Sequence, residues 1–149
     1  MSLDFTWLGP VAWCYWQPFD IKGWALVQWE PRGKELTAVN PKYFVLAQYT
    51  RHVRPGMAVL AGSDPDTVTA YDRAHRRLAL IVHASQPGTK VFDLSKFTSA
   101  SGPVTTWTTE PESTARYEER HDLKLEGAVL KVTLPKDSVT TVQIDNVVE

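Results

Sequence analysis

The chain has 149 residues, with 16 basic and 17 acidic side chains and a formal net charge of −1 at pH 7. This length suits one domain with a full hydrophobic core, and the mixed, nearly balanced charge gives no electrostatic reason to expect nucleic acid or an anionic membrane as a partner. The single cysteine, Cys14, rules out an internal disulfide.

The sequence contains no motif typical of a metal site, a phosphate-binding loop, a membrane span or a signal peptide. No spacing of His, Cys, Asp or Glu is typical of a metal site, and no glycine-rich phosphate loop occurs, so we expect no metal and no cofactor. No apolar run is long enough to predict a membrane span. The first residues, Met1 to Asp4, have neither the basic region nor the apolar stretch of a signal peptide.

The front of the chain is rich in tryptophan, and five of the six tryptophans lie within the first 29 residues. The densest group is Ala12-Trp13-Cys14-Tyr15-Trp16-Gln17, within a stretch from Val11 to Gln17 that is aromatic or β-branched with few polar interruptions. Such a stretch predicts a strand buried on both faces, and a second short extended segment follows at residues 24–29. Because an indole carries roughly 150 to 250 Å² of mostly apolar surface, we expect something to cover this segment.

One helix is strongly predicted. Asn40 is a suitable N-cap, Pro41 fits the first helical position, and residues 42–52 follow before Arg54-Pro55-Gly56 ends the pattern. The apolar side chains form one broad stripe, which includes Leu46, Tyr49 and Val53. We therefore expect this helix to lie against another element.

After Gly56 the apolar pattern changes to a period of two, with turn residues about every ten positions. The predicted strands are Met57 to Ala61, Thr67 to Tyr71, Leu78 to Ala84, Lys90 to Leu94, Val104 to Thr109, Ala128 to Leu134 and Ser138 to Ile144. Alternation in one of these predicts that Leu130, Val132 and Leu134 face inward. The polar residues 110–122 are interpreted as a long hairpin excursion.

These elements predict a mainly β fold, in which an antiparallel β-sandwich of about seven to nine strands follows one βα unit. A single βα unit cannot close a sheet or a barrel. The front of the chain therefore has the pattern expected at the end of a larger fold.

The polar side chains do not form a recognisable catalytic set. We call residues 12–17 the aromatic segment. The carboxylates of Asp20 and Glu30 follow it in the chain, but no motif brings the two carboxylates together as glycosidic chemistry would require. Cys14 is predicted to be a buried, unreactive thiol. His52 lies near the helix C-terminus, where the helix dipole favours a cation, and His75, His83 and His121 are interpreted as structural or solvated. We predict no catalytic residue in this chain.

The aromatic segment leaves two interpretations open. Tryptophan faces and amide or phenol groups suit sugar rings and their hydroxyls, so Trp13, Tyr15, Trp16 and Gln17 could line a glycan site. The alternative is that these aromatic residues belong to a hydrophobic core. Trp107, in the predicted sandwich, is interpreted as a core residue.

Several of these stretches resemble glycoside hydrolase family 30. Residues 40–56, Asn-Pro-Lys-Tyr-Phe-Val-Leu-Ala-Gln-Tyr-Thr-Arg-His-Val-Arg-Pro-Gly, are similar to the last barrel helix of that family, which leads into a side β-sandwich. Segments at 71–72, 78–83, 92–95, 104–109 and 134–141 then follow in the order expected of the sandwich. Residues 12–17 resemble the eighth barrel strand, and their Tyr-Trp-Gln form is most similar to the endo-β-1,6-galactanase-like members.

The resemblance implies a (β/α)8-barrel remnant at residues 1–56 and a β-sandwich side domain at residues 57–149. It implies a parent enzyme that is an extracellular retaining β-glycoside hydrolase, of galactanase or glucosylceramidase type, whose two catalytic glutamates match no residue here. The chain is then expected to be a C-terminal fragment that braces the barrel and is not catalytic alone. Trp13, Tyr15, Trp16 and Gln17 would contact the β-linked glycan in the parent.

Two further expectations follow. Family members usually add an N-terminal strand to the sandwich, which this chain lacks, and an uncovered barrel remnant would favour self-association or folding of the front segment onto the sandwich. The alternative hypothesis is a free-standing carbohydrate-binding β-sandwich module.

Overall fold

The computed structural model describes residues 1–149, apart from the side chain of Thr6. A short π-helical segment at Asp4–Leu8 opens the chain, and the helix α1 spans Pro41–His52. The strands are β1 (Phe19–Asp20), β2 (Val27–Glu30), β3 (Glu35–Val39), β4 (Ala58–Leu60), β5 (Thr67–Asp72), β6 (Arg77–Ala84), β7 (Gly88–Asp93), β8 (Ser99–Ala100), β9 (Val104–Thr109), β10 (Arg116–Arg120), β11 (Val129–Leu134), β12 (Ser138–Ile144) and β13 (Val147–Val148). The predicted mainly β fold is confirmed.

The helix α1 forms where the sequence predicts it. Asn40 is at the N-cap with extended backbone angles, Pro41 takes the first helical position, and Arg51 and His52 lie in the last turn. The Asn40 side chain does not cap the helix, however. It bonds instead to the segment that precedes the helix, as described below.

The sandwich consists of a six-stranded sheet, in the order β10-β9-β12-β6-β5-β4, and a second layer formed by the pairs β11–β7 and β13–β8. All of these pairs are antiparallel. The main core lies between the layers, where β6 and β12 of the large sheet contribute Leu78, Leu80, Val82, Val142 and Ile144. The opposite layer contributes Leu130, Val132 and Leu134, so the predicted inward face of that strand is confirmed.

A second, smaller core lies on the other face of the six-stranded sheet, where α1 packs. Its centre is Tyr49, which contacts buried side chains of β5, β6 and β12: Val68, Ala79, Ile81 and Val139. Met1 and Phe5 join this cluster, and the Phe5 and Tyr49 rings stack in parallel with 6.3 Å between their centroids. The first residues of the chain therefore lie against the helix–sheet core.

The predicted strand from Val11 to Gln17 is wrong. These residues have no strand conformation, and the short β1 that follows pairs in parallel with β2, which pairs antiparallel with β3. A strand buried on both faces needs neighbouring strands that satisfy its N–H and C=O groups. The sheet of β1, β2 and β3 does not extend to this segment.

The seven strands predicted after Gly56 are confirmed, with small shifts at their ends. Residues 110–122, predicted as an excursion, instead contain β10, which pairs with β9 at the edge of the six-stranded sheet. A bulge between Arg116 and Glu118 interrupts this pairing. The bulged residue, Tyr117, has a φ of 63°.

A cleft of about 960 Å³ opens between the layers at the opposite edge of the sandwich. Its walls are formed by β4, β5 and β6 on one side and β7 on the other, with apolar side chains such as Leu60, Leu80 and Phe92. Asp64, Thr67 and Lys90 form a hydrogen-bonded cluster among its lining residues.

Candidate functional site

The aromatic segment at the front of the chain is exposed. Trp16 exposes 88% of its surface, Trp24 exposes 76% and Trp13 exposes 36%. Tyr15 and Gln17 are half-buried. The interpretation that these residues form a packed core therefore does not describe this structure.

The structure brings two of the predicted site residues together. The rings of Trp13 and Tyr15 lie with their centroids 6.2 Å apart and tilted by 35°, and the Trp13 indole N–H donates to Asp4 Oδ2 at 3.1 Å. Trp16 projects into solvent, and the Trp16–Gln17 peptide bond is cis. The Gln17 carbonyl accepts a hydrogen bond from the Leu26 amide at 3.3 Å.

The segment 23–28 links these residues to the start of α1. The Tyr15 hydroxyl donates to the Trp24 carbonyl at 3.2 Å. Lys42, at the second position of the helix, donates from Nζ to the carbonyls of Gly23 and Trp24 at 2.6 and 2.7 Å. The Trp24 carbonyl is thus shared by the aromatic segment and the helix.

Asn40 provides the second link. Its Nδ2 donates to the Ala25 carbonyl at 2.6 Å, its Oδ1 accepts from Gln28 Nε2 at 2.8 Å, and its main-chain N–H donates to the Leu26 carbonyl at 2.9 Å. Sequence reasoning assigned Asn40 to helix capping and missed this role. The sequence held one indication of this role. Lys42 places a cation where the helix dipole disfavours positive charge, which indicates that side chains at the helix start bond to a neighbouring segment.

The carboxylates beside the segment serve local turns. Asp20 Oδ1 accepts from the Ile21 amide at 2.7 Å, and Glu30 Oε1 accepts from the Arg32 amide at 2.9 Å. Among the residues that the structure describes, no group of three His, Cys, Asp or Glu side chains could hold a metal ion. Cys14 is exposed, so its predicted burial is wrong, because the strand that would bury it does not form.

His52 occupies a different environment from the one predicted. It is buried at the end of α1, with its ring centroid 4.4 Å from that of Trp107 and its Nε2 2.6 Å from the hydroxyl of Tyr117. Burial lowers the pKa of His52 from 6.5 to about 4. The expectation of a cation favoured by the helix dipole is therefore wrong, since desolvation outweighs the dipole.

Trp107 is half-buried in this aromatic cluster, together with Tyr117. Its indole N–H donates to Glu119 Oε2 at 2.8 Å, and Arg51 lies 4.9 Å from the centre of the Tyr117 ring. The bulge in β10 turns the Tyr117 side chain towards His52, which is a known effect of bulges. This cluster joins α1 to the sheet edge.

The comparisons with known proteins concern nearly the whole chain. No family model matches the sequence. An endo-β-1,6-galactanase from Hypocrea rufa is 35% identical over 152 residues, which include 99% of this chain. The chain is a relative of endo-β-1,6-galactanase. The predicted resemblance is confirmed, and the chain spans about a third of the galactanase, 32% of its length.

Solved structures show the same fold. The family 30 subfamily 8 glycoside hydrolase Xyn30A, a xylanase from Clostridium acetobutylicum, superposes with a TM-score of 0.64 at 16% identity, over 83% of this chain and 31% of the xylanase. A conserved exported protein from Bacteroides fragilis superposes with a TM-score of 0.66 at 18% identity, over 95% of this chain and 31% of that protein. These superpositions show that the chain has the fold of the matching part of each of these proteins.

No helix among the described residues is long and apolar enough to cross a membrane.

Proposed function

We propose that this chain is the C-terminal part of a retaining β-glycoside hydrolase of the endo-β-1,6-galactanase type. In this proposal residues 57–149 form the side sandwich that braces a (β/α)8 barrel, and residues 1–56 supply its last strand, loop and helix. The observation that carries the proposal is the 35% identity to an endo-β-1,6-galactanase along 99% of the chain. The catalytic glutamates would lie in the remainder of the parent.

The aromatic segment supports a role at a glycan site. Trp13, Tyr15, Trp16 and Gln17 would contact the β-linked glycan, with the exposed Trp16 face against the C–H face of a sugar ring. Hydrogen bonds from Lys42 and Asn40 at the helix start hold the neighbouring segment 23–28. Since α1 packs on the sheet through Tyr49, the sandwich is connected to the aromatic segment through packed and hydrogen-bonded groups.

The cleft between β4, β5 and β7 supports the bracing role. A further strand from the parent, of the kind that the family resemblance implies, would bury Leu60 and Phe92 there and pair with the free edge of β7. An open apolar cleft of about 960 Å³ and an exposed aromatic segment both favour association. We propose that the chain without this cover self-associates.

Activity measurements test the proposal. The 149-residue chain should show no turnover of β-1,6-galactan, because the catalytic glutamates would lie in the remainder of the parent. In a chimera, this chain replaces the matching region of the Hypocrea rufa galactanase, and the chimera should retain activity on β-1,6-galactan. A folded but inactive chimera would contradict the proposed function, as would turnover by the chain alone.

Variants of the active chimera define the role of the aromatic segment. Trp16→Ala should weaken the apparent affinity for galactan about threefold to tenfold, as expected for losing one stacking contact. Lys136→Ala, at an exposed position in the turn between β11 and β12, is the control and should leave the kinetics unchanged. Equal kinetics for both variants would remove Trp16 from the site.

The alternative, a free-standing carbohydrate-binding module, is favoured by the exposed tryptophans alone. A module should bind a β-glycan with a dissociation constant of roughly micromolar size. A barrel site that lacks its other strands should have a dissociation constant of about 1 mM or higher. Titration of the chain with β-1,6-galactan, followed by tryptophan fluorescence, separates the two. The extracellular location proposed for the parent is supported by the similarity to an exported protein.

A further inference from the structure

We infer that Trp24 is a further glycan-contacting residue and that Lys42 is the positioning residue that holds it beside Tyr15. The inference rests on the proposed function, because it extends the same aromatic site. It adds an aromatic ring from the loop that precedes β2 to the four residues predicted from the sequence. The ligand class is a β-linked hexopyranose, recognised through its C–H face.

The first observation is the exposure of the Trp24 side chain beside a fixed main chain. The indole exposes 76% of its surface, whereas the next residue, Ala25, is buried. The Trp24 carbonyl accepts hydrogen bonds from two side chains, the Tyr15 hydroxyl at 3.2 Å and Lys42 Nζ at 2.7 Å. An exposed indole on an anchored backbone loses little conformational freedom when it binds a ligand.

The second observation is that Lys42 occupies a position that does not favour it as a helix residue. The second residue of a helix lies at the positive end of the helix dipole, where a cation is disfavoured. Lys42 nonetheless directs its ammonium backwards onto two carbonyls, those of Gly23 and Trp24. A lysine that is unfavourable for the helix itself is expected where its side chain holds a functional segment in place.

The third observation concerns the chemistry around the indole. Tyr15 links Trp24 to Trp13, because its hydroxyl reaches the Trp24 carbonyl and its ring centroid is 6.2 Å from that of Trp13. The ammonium of Lys42 has three N–H donors, of which the Gly23 and Trp24 carbonyls use two. An aromatic face with a nearby donor for hydroxyl groups is the combination that sugar sites use.

Nuclear magnetic resonance on the intact 149-residue chain tests the inference. Each tryptophan, labelled with 15N at the indole nitrogen, reports separately during titration with β-1,6-linked galactobiose up to about 50 mM, a range chosen for a millimolar dissociation constant. We expect the signals of Trp24 and Trp16 to shift with one shared saturation curve. The signals of Trp29 and Trp107 serve as internal controls and should stay in place.

Variants of Lys42 test the positioning role. Lys42→Met keeps the aliphatic stem but removes the donors, so it should weaken the affinity that Trp24 and Trp16 report together at least about threefold and reduce the size of the Trp24 shift relative to the Trp16 shift. Lys42→Arg should restore both the shared affinity and the size of the Trp24 shift. A purely structural role in helix stability would leave the ratio of the Trp24 shift to the Trp16 shift unchanged.

Three results would overturn the inference. A shift of Trp16 without Trp24 would remove Trp24 from the site and leave the proposed function standing. Equal shifts of Trp29 and Trp24, or no shift of any indole, would show that the chain has no site at Trp24. An unchanged Trp24 titration in Lys42→Met would remove the positioning role. Failure of the proposed function is seen separately, as a folded galactanase chimera without activity.

Discussion

Burial of His52 makes the stability of the protein depend on pH, and the variant His52→Phe tests this. The side chain is 8% exposed and lies between α1 and the sheet, against the rings of Trp107 and Tyr117. Desolvation is the main cause of its low pKa; Arg51 and Arg77 lower it further, while Gln143 and Glu119 oppose the shift. The phenylalanine ring keeps the aromatic packing and cannot bind a proton.

The size of the effect follows from the pKa difference. The pKa of His52 is about 4 in the folded protein and 6.5 in the unfolded chain, so the unfolded state binds the proton more tightly. The contribution of the neutral His52 side chain to stability is complete above pH 6.5, and it is lost as the pH falls towards 4. Since one pKa unit corresponds to 1.36 kcal/mol, the loss is about 3 kcal/mol over this window.

Urea denaturation followed by tryptophan fluorescence, from about pH 4.5 to pH 7.5, measures this loss. At neutral pH the His52→Phe variant should be less stable by about 1 kcal/mol, because the bond to the Tyr117 hydroxyl is gone. Its stability should fall much less steeply on acidification than that of the unmodified protein. Val91→Ala changes an exposed side chain that carries no titrating group and should keep the original steepness.

The Asp64 carboxylate does not mask the effect in this window. The pKa of Asp64 is lowered from 3.8, with hydrogen bonds from Lys90 and Thr67 outweighing the desolvation that raises it. Its contribution to stability is therefore lost only below about pH 4. If the unmodified protein and His52→Phe lose stability in parallel between pH 6.5 and 4.5, the reasoning about His52 is refuted.

Two further variants test the core and the helix start. Leu130→Ala, at a fully buried position, should lower the free energy of unfolding by about 2 to 5 kcal/mol through cavity formation, whereas the exposed Val91→Ala should change it by no more than about 0.5 kcal/mol; similar losses in urea denaturation would contradict the assigned core. Asn40→Ala removes the side-chain bonds to Ala25 and Gln28, so hydrogen exchange at the Leu26 amide should become several-fold faster while exchange in β12 stays the same, and unchanged exchange at Leu26 would show that Asn40 does not hold this segment.

Strong local signals explain what could be predicted from the sequence. The N-cap and proline at Asn40 and Pro41 gave a helix start at the correct residue, because capping and proline geometry depend on neighbouring residues only. The alternation around Leu130 gave the correct inward face, since one side of that strand must be buried. The structure of these elements is determined mainly by residues close to one another in the sequence.

The weaker elements could not be predicted for the same physical reason. The strand β10 is polar and charged, and it exists because its backbone pairs with β9 at the sheet edge. The aromatic stretch from Val11 to Gln17 shows the reverse case, because strong strand propensity produces no strand where the sheet does not reach. Strand propensity describes how a residue fits a sheet, and the sheet itself is a tertiary feature.

In the candidate site, too, some features could be predicted from the sequence and others only from the tertiary structure. The sequence by itself determined the fold class, the helix, the main strands, the resemblance to family 30 glycoside hydrolases and the aromatic residue types suited to a glycan. Only the tertiary structure decided that Trp16 and Trp24 are exposed, that Lys42 and Asn40 reach back to the segment before the helix, and that His52 is buried and uncharged. Exposure, long-range hydrogen bonds and desolvation arise between residues far apart in the chain, so no local pattern could encode them.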